Sequence, residues 1–188
     1  MKRVLFMLML LAGCRAASFS QRSFDVCMQV TRVIDGDTFE GHLFYRVEPE
    51  RTGQSQGGGE MWVQQMTLSR IRISGIDAPE RGQFFGDVAT CHLKWLVEGR
   101  KVGLEMSKVD AYGRWVAVVW SDGRDVGGEM LKEGLAWYRE EYGQNPAYSR
   151  LQSDAKMAGR GLWTDGDAIE PWKWRKMSKF ERDAYRCR

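Results

Sequence analysis

The sequence predicts an α+β fold, mainly β: a small antiparallel barrel with about three helices packed on it. Five runs rich in β-branched and aromatic residues follow one another, mostly with hairpin-like connections. Three further segments carry helical apolar spacing and end near glycine. The chain has 188 residues, 43% of them hydrophobic and eight of them tryptophan, which suits one domain with a real core and argues against disorder.

Residues 24–34, FDVCMQVTRVI, alternate loosely and form the first strand, which runs into VIDGDT. TFEGHLFYRVE, from Thr38, is the second. ERTGQSQGGGE, residues 50–60, is a loop, because three successive glycines do not hold regular structure. MWVQQMTLSRIRI, residues 61–73, returns as the third strand of a long hairpin, and GIDAPERGQ, residues 75–83, is a loop. FGDVATCHLKWLVEG is the first helix, with Val88, Cys91, Trp95 and Leu96 near one face and Gly99 at its end. Cys91 is thereby expected in the core. KVGLEMSKV, residues 101–109, is a strand, DAYGR a turn, and WVAVVW, residues 115–120, a buried strand. DVGGEMLKEGLA gives a helix ending near Gly134. QNPAYSRLQSDAKMAGRG gives another, with Asn145 as N-cap, Pro146 at the first helical position and Gly159 at its end.

The two ends differ from this middle. Lys2 and Arg3 precede VLFMLMLL, an apolar run too short to span a bilayer, and then LAGC, residues 11–14. LAGC resembles a bacterial lipobox, in which Cys14 is acylated and residues 1–13 are removed. That would hold the protein at a membrane surface in the cell envelope. Cleavage after Ala17, leaving a periplasmic or secreted protein, is the alternative. Residues 14–24 then form the lipidated N-terminus and linker, 25–170 the domain, and 171–188 a basic tail. The tail has seven Lys and Arg against Glu181 and Asp183, and reads equally as a solvated end or a functional one. With Cys14 lipidated, Cys27, Cys91 and Cys187 remain, and Cys27 with Cys187 is the pair expected in an exported chain. There is no CxxC, and His42 and His92 lack partners at ligand spacing, which argues against a zinc site. A net charge of +3 is too small to mark a nucleic-acid binder by itself.

Three stretches carry chemistry: VIDGDT, RIRISGIDAPE and DAYGR. In the second, Ile71 and Ile73 share one strand face and Arg70 and Arg72 the other, and Pro79 holds Ala78 extended, fixing the direction of its carbonyl. Each stretch alone fits a polar turn or surface charge. Together they complement one another: Asp37, Asp77 and Glu80 supply carboxylates, Arg72 and Arg114 guanidiniums. Two like charges about 4 Å apart cost on the order of 4 kcal/mol at an effective dielectric near 20, so three carboxylates together need a cation. Hard oxygen donors suggest Ca²⁺ or Mg²⁺. No EF-hand accounts for them, since Glu40 stands where that loop needs glycine. A metal with two arginines is suited to phosphodiester hydrolysis: the arginines clamp the phosphoryl group and a carboxylate activates water.

These motifs resemble the staphylococcal nuclease (thermonuclease) family. The matching stretches are VIDGDT at 33–38, RISGIDAPE at 72–80, DAYGR at 110–114, SDGRDVGGEMLKEGLAWY at 121–138 and AGRGLW at 158–163. The resemblance implies an OB-type five-stranded barrel with three helices and Ca²⁺-dependent endonucleolytic hydrolysis of DNA or RNA; no protein partner is inferred, and a monomer is expected. It implies that Asp37 and Asp77 bind one metal ion with the backbone carbonyl of Ala78, and that Asp35 is a supporting acid. Arg72 and Arg114 would be the phosphate-contacting catalytic arginines and Glu80 the catalytic glutamate. Tyr112, Tyr138 and Tyr142 would lie near the nucleotide. The hairpin between Asp37 and Arg72 is longer than the family's. A non-catalytic OB module that binds nucleic acid or protein is the competing reading; such a module would not need Arg72, Asp77, Glu80 and Arg114.

Overall fold

The computed structural model describes residues 24–47, 61–164, 166 and 168–186. In chain order the elements begin with strands β1 (Val26–Val33), β2 (Thr38–Val47), β3 (Met61–Ile73) and β4 (Ile76–Asp77). Helix α1 (Gly86–Val97) follows, then β5 (Lys101–Val109), β6 (Trp115–Ser121), β7 (Arg124–Asp125) and α2 (Val126–Lys132). Last come β8 (Trp137–Tyr138), α3 (Pro146–Met157), α4 (Pro171–Trp174) and α5 (Lys179–Arg186).

Five strands make the barrel in the order β3-β2-β1-β5-β6. Neighbours are antiparallel, and the barrel closes through a parallel pair, β3 with β6, in the register Ile71↔Trp115, Arg72↔Val116 and Ile73↔Ala117. The alternation of the strands decides what fills it: Met28, Val30, Phe39, Leu43, Ile71, Ile73, Val102, Leu104, Ala117 and Val119 are all buried. Burial of one such large side chain contributes about 1.5–3 kcal/mol. Each expected strand is present. Beyond them stands a two-stranded sheet of β4 and β8, pairing Ile76 with Tyr138 and Asp77 with Trp137. It lies where the sequence predicts only a loop, because two-residue strands carry no periodicity.

The three expected helices form, and α3 is capped as predicted, Asn145 Oδ1 accepting from the Ala147 N–H with Pro146 at the first position. The face of α1 is corrected. Val88, Cys91 and Trp95 do lie together, but all three are exposed. Ala89, Leu93, Leu96 and Val97 face the core. The small Ala89 favours this face, since its Cβ would lie 2.9 Å from a Cβ built on Gly36 of the VIDGDT turn. Trp95 instead lies under the Arg124 guanidinium, 5.5 Å from ring to cation.

The C-terminal segment is helical and returns to the barrel. Trp174 is almost wholly buried and Tyr185 packs edge-on against it. Arg182 donates to the carbonyls of Trp174 and Arg175, and Gln83 Nε2 donates to the Ile169 carbonyl at 2.6 Å. Cys14, the signal segment, the 50–60 loop and Cys187, hence the expected Cys27–Cys187 pair, lie outside the described residues.

Candidate active site

The site is built where the β1–β2 turn, the β3–β4 corner and the β5–β6 turn meet. In VIDGDT, Asp35 Oδ1 accepts from the Asp37 N–H at 3.1 Å, a side-chain turn that tips Asp37 inward. Asp37 Oδ2 then accepts the Ala78 N–H at 2.8 Å, and Oδ1 accepts the Thr38 hydroxyl at 2.9 Å. Close packing accounts for Gly36. A Cβ there would meet the Ala78 Cβ at 2.6 Å and the Ala89 Cβ at 2.9 Å, and its φ is not positive. The turn, the DAP corner and α1 thus pack through three small residues.

Strand register brings the charges together. Thr38↔Arg72 in β2–β3 sets Arg72 beside Asp37. Arg72 bridges both aspartates: Nη1 lies 2.8 Å from Asp37 Oδ2 and Nη2 2.9 Å from Asp77 Oδ1. Its side chain is 8% exposed and that of Asp77 1%, so this is a buried charge cluster. The parallel β3–β6 pair carries DAYGR to the same end. Arg114 Nε bonds Asp110 Oδ2 at 2.8 Å and Nη1 reaches the Thr38 hydroxyl at 3.4 Å. Burial works against the Asp110 carboxylate, but hydrogen bonds from Arg114 and Tyr112 hold its pKa below the usual range, so the turn stays ion-paired. Glu80 is held from behind, its N–H donating to Gln83 Oε1 at 3.0 Å. Gly86 opens α1 against the Glu80 carbonyl, where a Cβ would sit 2.1 Å from the oxygen.

Asp35, Asp37, Arg72, Asp77, Ala78, Glu80 and Arg114 all line one cleft of about 590 Å³, and Tyr112 and Tyr142 line it too. Tyr142 lies beneath the Arg72 guanidinium at 5.4 Å. Tyr138 is elsewhere: its ring packs edge-on against Tyr148 and it borders a separate, open groove with Arg139 and Trp172. The cleft also holds a residue the motifs do not contain. Arg175, after α4, places Nη2 2.7 Å from Asp77 Oδ2 and Nη1 2.5 Å from Glu80 Oε1. Its only signal in the sequence is the basic character of 171–188.

Burial, and then the Asp37 charge, push the Asp35 pKa up to about 7. The nearby Arg72 guanidinium works against that rise without cancelling it. The donors there are hard oxygens, the carboxylates of Asp37 and Asp77 and the Ala78 carbonyl, which suit Ca²⁺ or Mg²⁺ completed by water. Among the described residues no three of His, Cys, Asp and Glu converge into a ready metal nest. Guanidiniums hold the Asp77 carboxylate that a cation would use.

Residues 70–165 match the model of the staphylococcal nuclease homologue family. An uncharacterized endonuclease of Escherichia coli O157:H7 is 35% identical over 152 residues, covering 80% of this chain and 86% of that protein. The micrococcal nuclease of Shigella flexneri is 34% identical over 163 residues, covering 80% and 81%. Protein ParB of Escherichia coli is 32% identical over 166 residues, covering 82% of each. The chain belongs to the staphylococcal nuclease homologue family. Its barrel is accordingly the OB-type barrel of that family, and it is a hydrolase of the nuclease type. The stretch matched to the staphylococcal nuclease model contains Arg72, Asp77, Glu80 and Arg114 but stops before α4, so Arg175 lies beyond it.

Proposed function

We propose that the chain is a divalent-cation-dependent, most simply Ca²⁺-dependent, endonuclease that hydrolyses phosphodiester bonds of DNA and RNA outside the cytoplasm, anchored through lipid on Cys14. The observation that carries the catalytic part is the cleft in which Arg72, Arg114, the buried Asp37 and Asp77 and the accessible Glu80 converge. Asp37, Asp77 and the Ala78 carbonyl would hold the cation. Bound there, the cation supplies neutralisation of phosphate charge and acidification of a coordinated water. The rest is the work of this chain's side chains. Arg72, from β3, and Arg114, from the β5–β6 turn, can grip one phosphate from two sides, stabilising the charge that grows in the transition state. Glu80, accessible to solvent, takes the proton of the attacking water. Tyr112, exposed beside Arg114, offers its ring to a base, since stacking is tolerant of sequence and of sugar.

Nuclease assays on the full-length chain, with single-stranded DNA and RNA, test this directly. Cleavage is expected with Ca²⁺, stopped by chelator and restored by returning the ion, and Glu80→Gln is expected to be slower by roughly 10²-fold or more. Undiminished cutting in chelator would reject the cation, and full activity in the glutamine variant would reject Glu80 as base.

The anchoring part rests on LAGC at 11–14 after a charged start and a short apolar run. Labelled palmitate fed to expressing cells is expected to enter the wild-type chain and not Cys14→Ser. Equal label in both would remove Cys14 as the acylation site.

A further inference from the structure

Arg175 sits in the cleft without a part in the hydrolysis argued above. Both oxygens of Asp77 are engaged by guanidinium: Oδ1 by Arg72 at 2.9 Å and by Arg175 at 3.3 Å, Oδ2 by Arg175 at 2.7 Å. A cation that uses Asp77 must take a place in this arrangement. Of the two arginines, Arg72 is enclosed, with 8% of its side chain exposed and a second aspartate to bridge. Arg175 is the one able to leave, with 41% of its side chain exposed. It follows a four-residue helix whose backbone is pinned by the buried Trp174, by Arg182 on the Trp174 and Arg175 carbonyls, and by Gln83 on Ile169. The side chain can therefore swing out while its backbone stays docked. Burial alone would lower the pKa of Arg175, but the bonds to Asp77 and Glu80 outweigh it and raise it, so the group remains a full positive charge in the site.

We propose that Arg175 is a tethered occupant of the cation site, held on Asp77 and Glu80 by the C-terminal helices, which divalent cation must displace before Asp77 and Glu80 are released for catalysis. The proposal rests on the cation-dependent reading above. The α4–α5 segment then sets the cation concentration at which the enzyme switches on. Arg175 and a metal ion compete for Asp77, and each weakens the hold of the other by the same factor.

Calorimetric titration of the full-length chain with CaCl₂ tests it, comparing wild type, Arg175→Gln and Arg182→Ala, with folding checked by circular dichroism. Arg175→Gln is expected to bind Ca²⁺ about tenfold more tightly, within the usual range of coupling between sites. Arg182→Ala, which frees the carbonyls that steady Arg175, should shift affinity the same way by less. The Ca²⁺ concentration giving half-maximal cleavage should fall in parallel. A measurement on the wild type stands apart from any folding defect: the Arg175 Nη–H resonances, hydrogen-bonded to Asp77 and Glu80 without metal, are expected to lose protection on adding Ca²⁺. Equal or weaker Ca²⁺ binding by Arg175→Gln, or an Arg175 signal unmoved at saturating Ca²⁺, overturns the proposal alone. Absence of Ca²⁺ binding in every variant, with cleavage persisting in chelator, overturns the cation reading and the proposal with it.

Discussion

Arg72→Met is expected to abolish nuclease activity, by about 10³-fold or more, and to destabilise the metal-free protein by about 3–5 kcal/mol. The two losses have separate causes. Removing one preorganised donor to developing charge costs about 10²–10³ in rate, and removing a phosphate-clamping arginine can cost more. The stability loss comes from Asp37 and Asp77. Both are buried, and each accepts one arm of the same guanidinium, at 2.8 and 2.9 Å. Methionine fills much of the volume but leaves the carboxylates facing one another, and breaking a buried pair by deleting one partner is costly for this reason. Ca²⁺ should restore much of the stability and none of the rate, because a cation can neutralise the aspartates but cannot replace the arginine on the phosphate. Thermal melts with and without Ca²⁺, beside initial cleavage rates, read both effects. A melting point unchanged by the substitution would mean that Arg72 does not hold the two acids together.

Arg114→Ala is expected to lose rate on a similar scale, about 10²–10³-fold, with a stability change within about 1 kcal/mol. Arg114 is a quarter exposed and its ion pair is with Asp110, four residues back in its own turn. Asp110 Oδ1 also accepts the N–H groups of Tyr112 and Arg114, so the turn survives without the guanidinium. Deletion leaves Asp110 solvated rather than stranded in the interior. The same assays that show Arg72→Met failing in both respects should show Arg114→Ala failing in one. A large drop in melting temperature for Arg114→Ala would make its kinetic loss a folding defect and remove the case for a direct role.

The site's legibility in the sequence followed how local its patterns are. Asp37, Arg72, Asp77, Glu80 and Arg114 stand in short motifs whose turn and strand chemistry can be read in a few residues, and all five line the cleft. Tyr138 does not, because β8 pairs it with Ile76 and directs its ring toward Tyr148. Arg175 was invisible as a site residue: it lies 95 positions from Glu80, in a segment where seven of eighteen residues are basic. The exposed face of α1 misled for a related reason. Two apolar stripes run along that helix, and the tight packing of Ala89 against Gly36 favours the one that turns inward. Gln83, which steadies Glu80 and holds Ile169, is an ordinary polar loop residue until the fold places it.

The parallel closure of β3 on β6 has a consequence for when the enzyme becomes dangerous to nucleic acid. Arg72 pairs in register with Val116, and Arg114 stands just ahead of Trp115, so the two arginines meet only once that seam is zipped. Every other neighbouring pair in the barrel is antiparallel. Non-local pairings of this kind form slowly, after local hairpins and helices. A chain with all its local structure but an open seam carries every residue of the clamp and grips no phosphate. Cutting power is expected only with the completed barrel, because the closed seam is what brings the two arginines to one cleft.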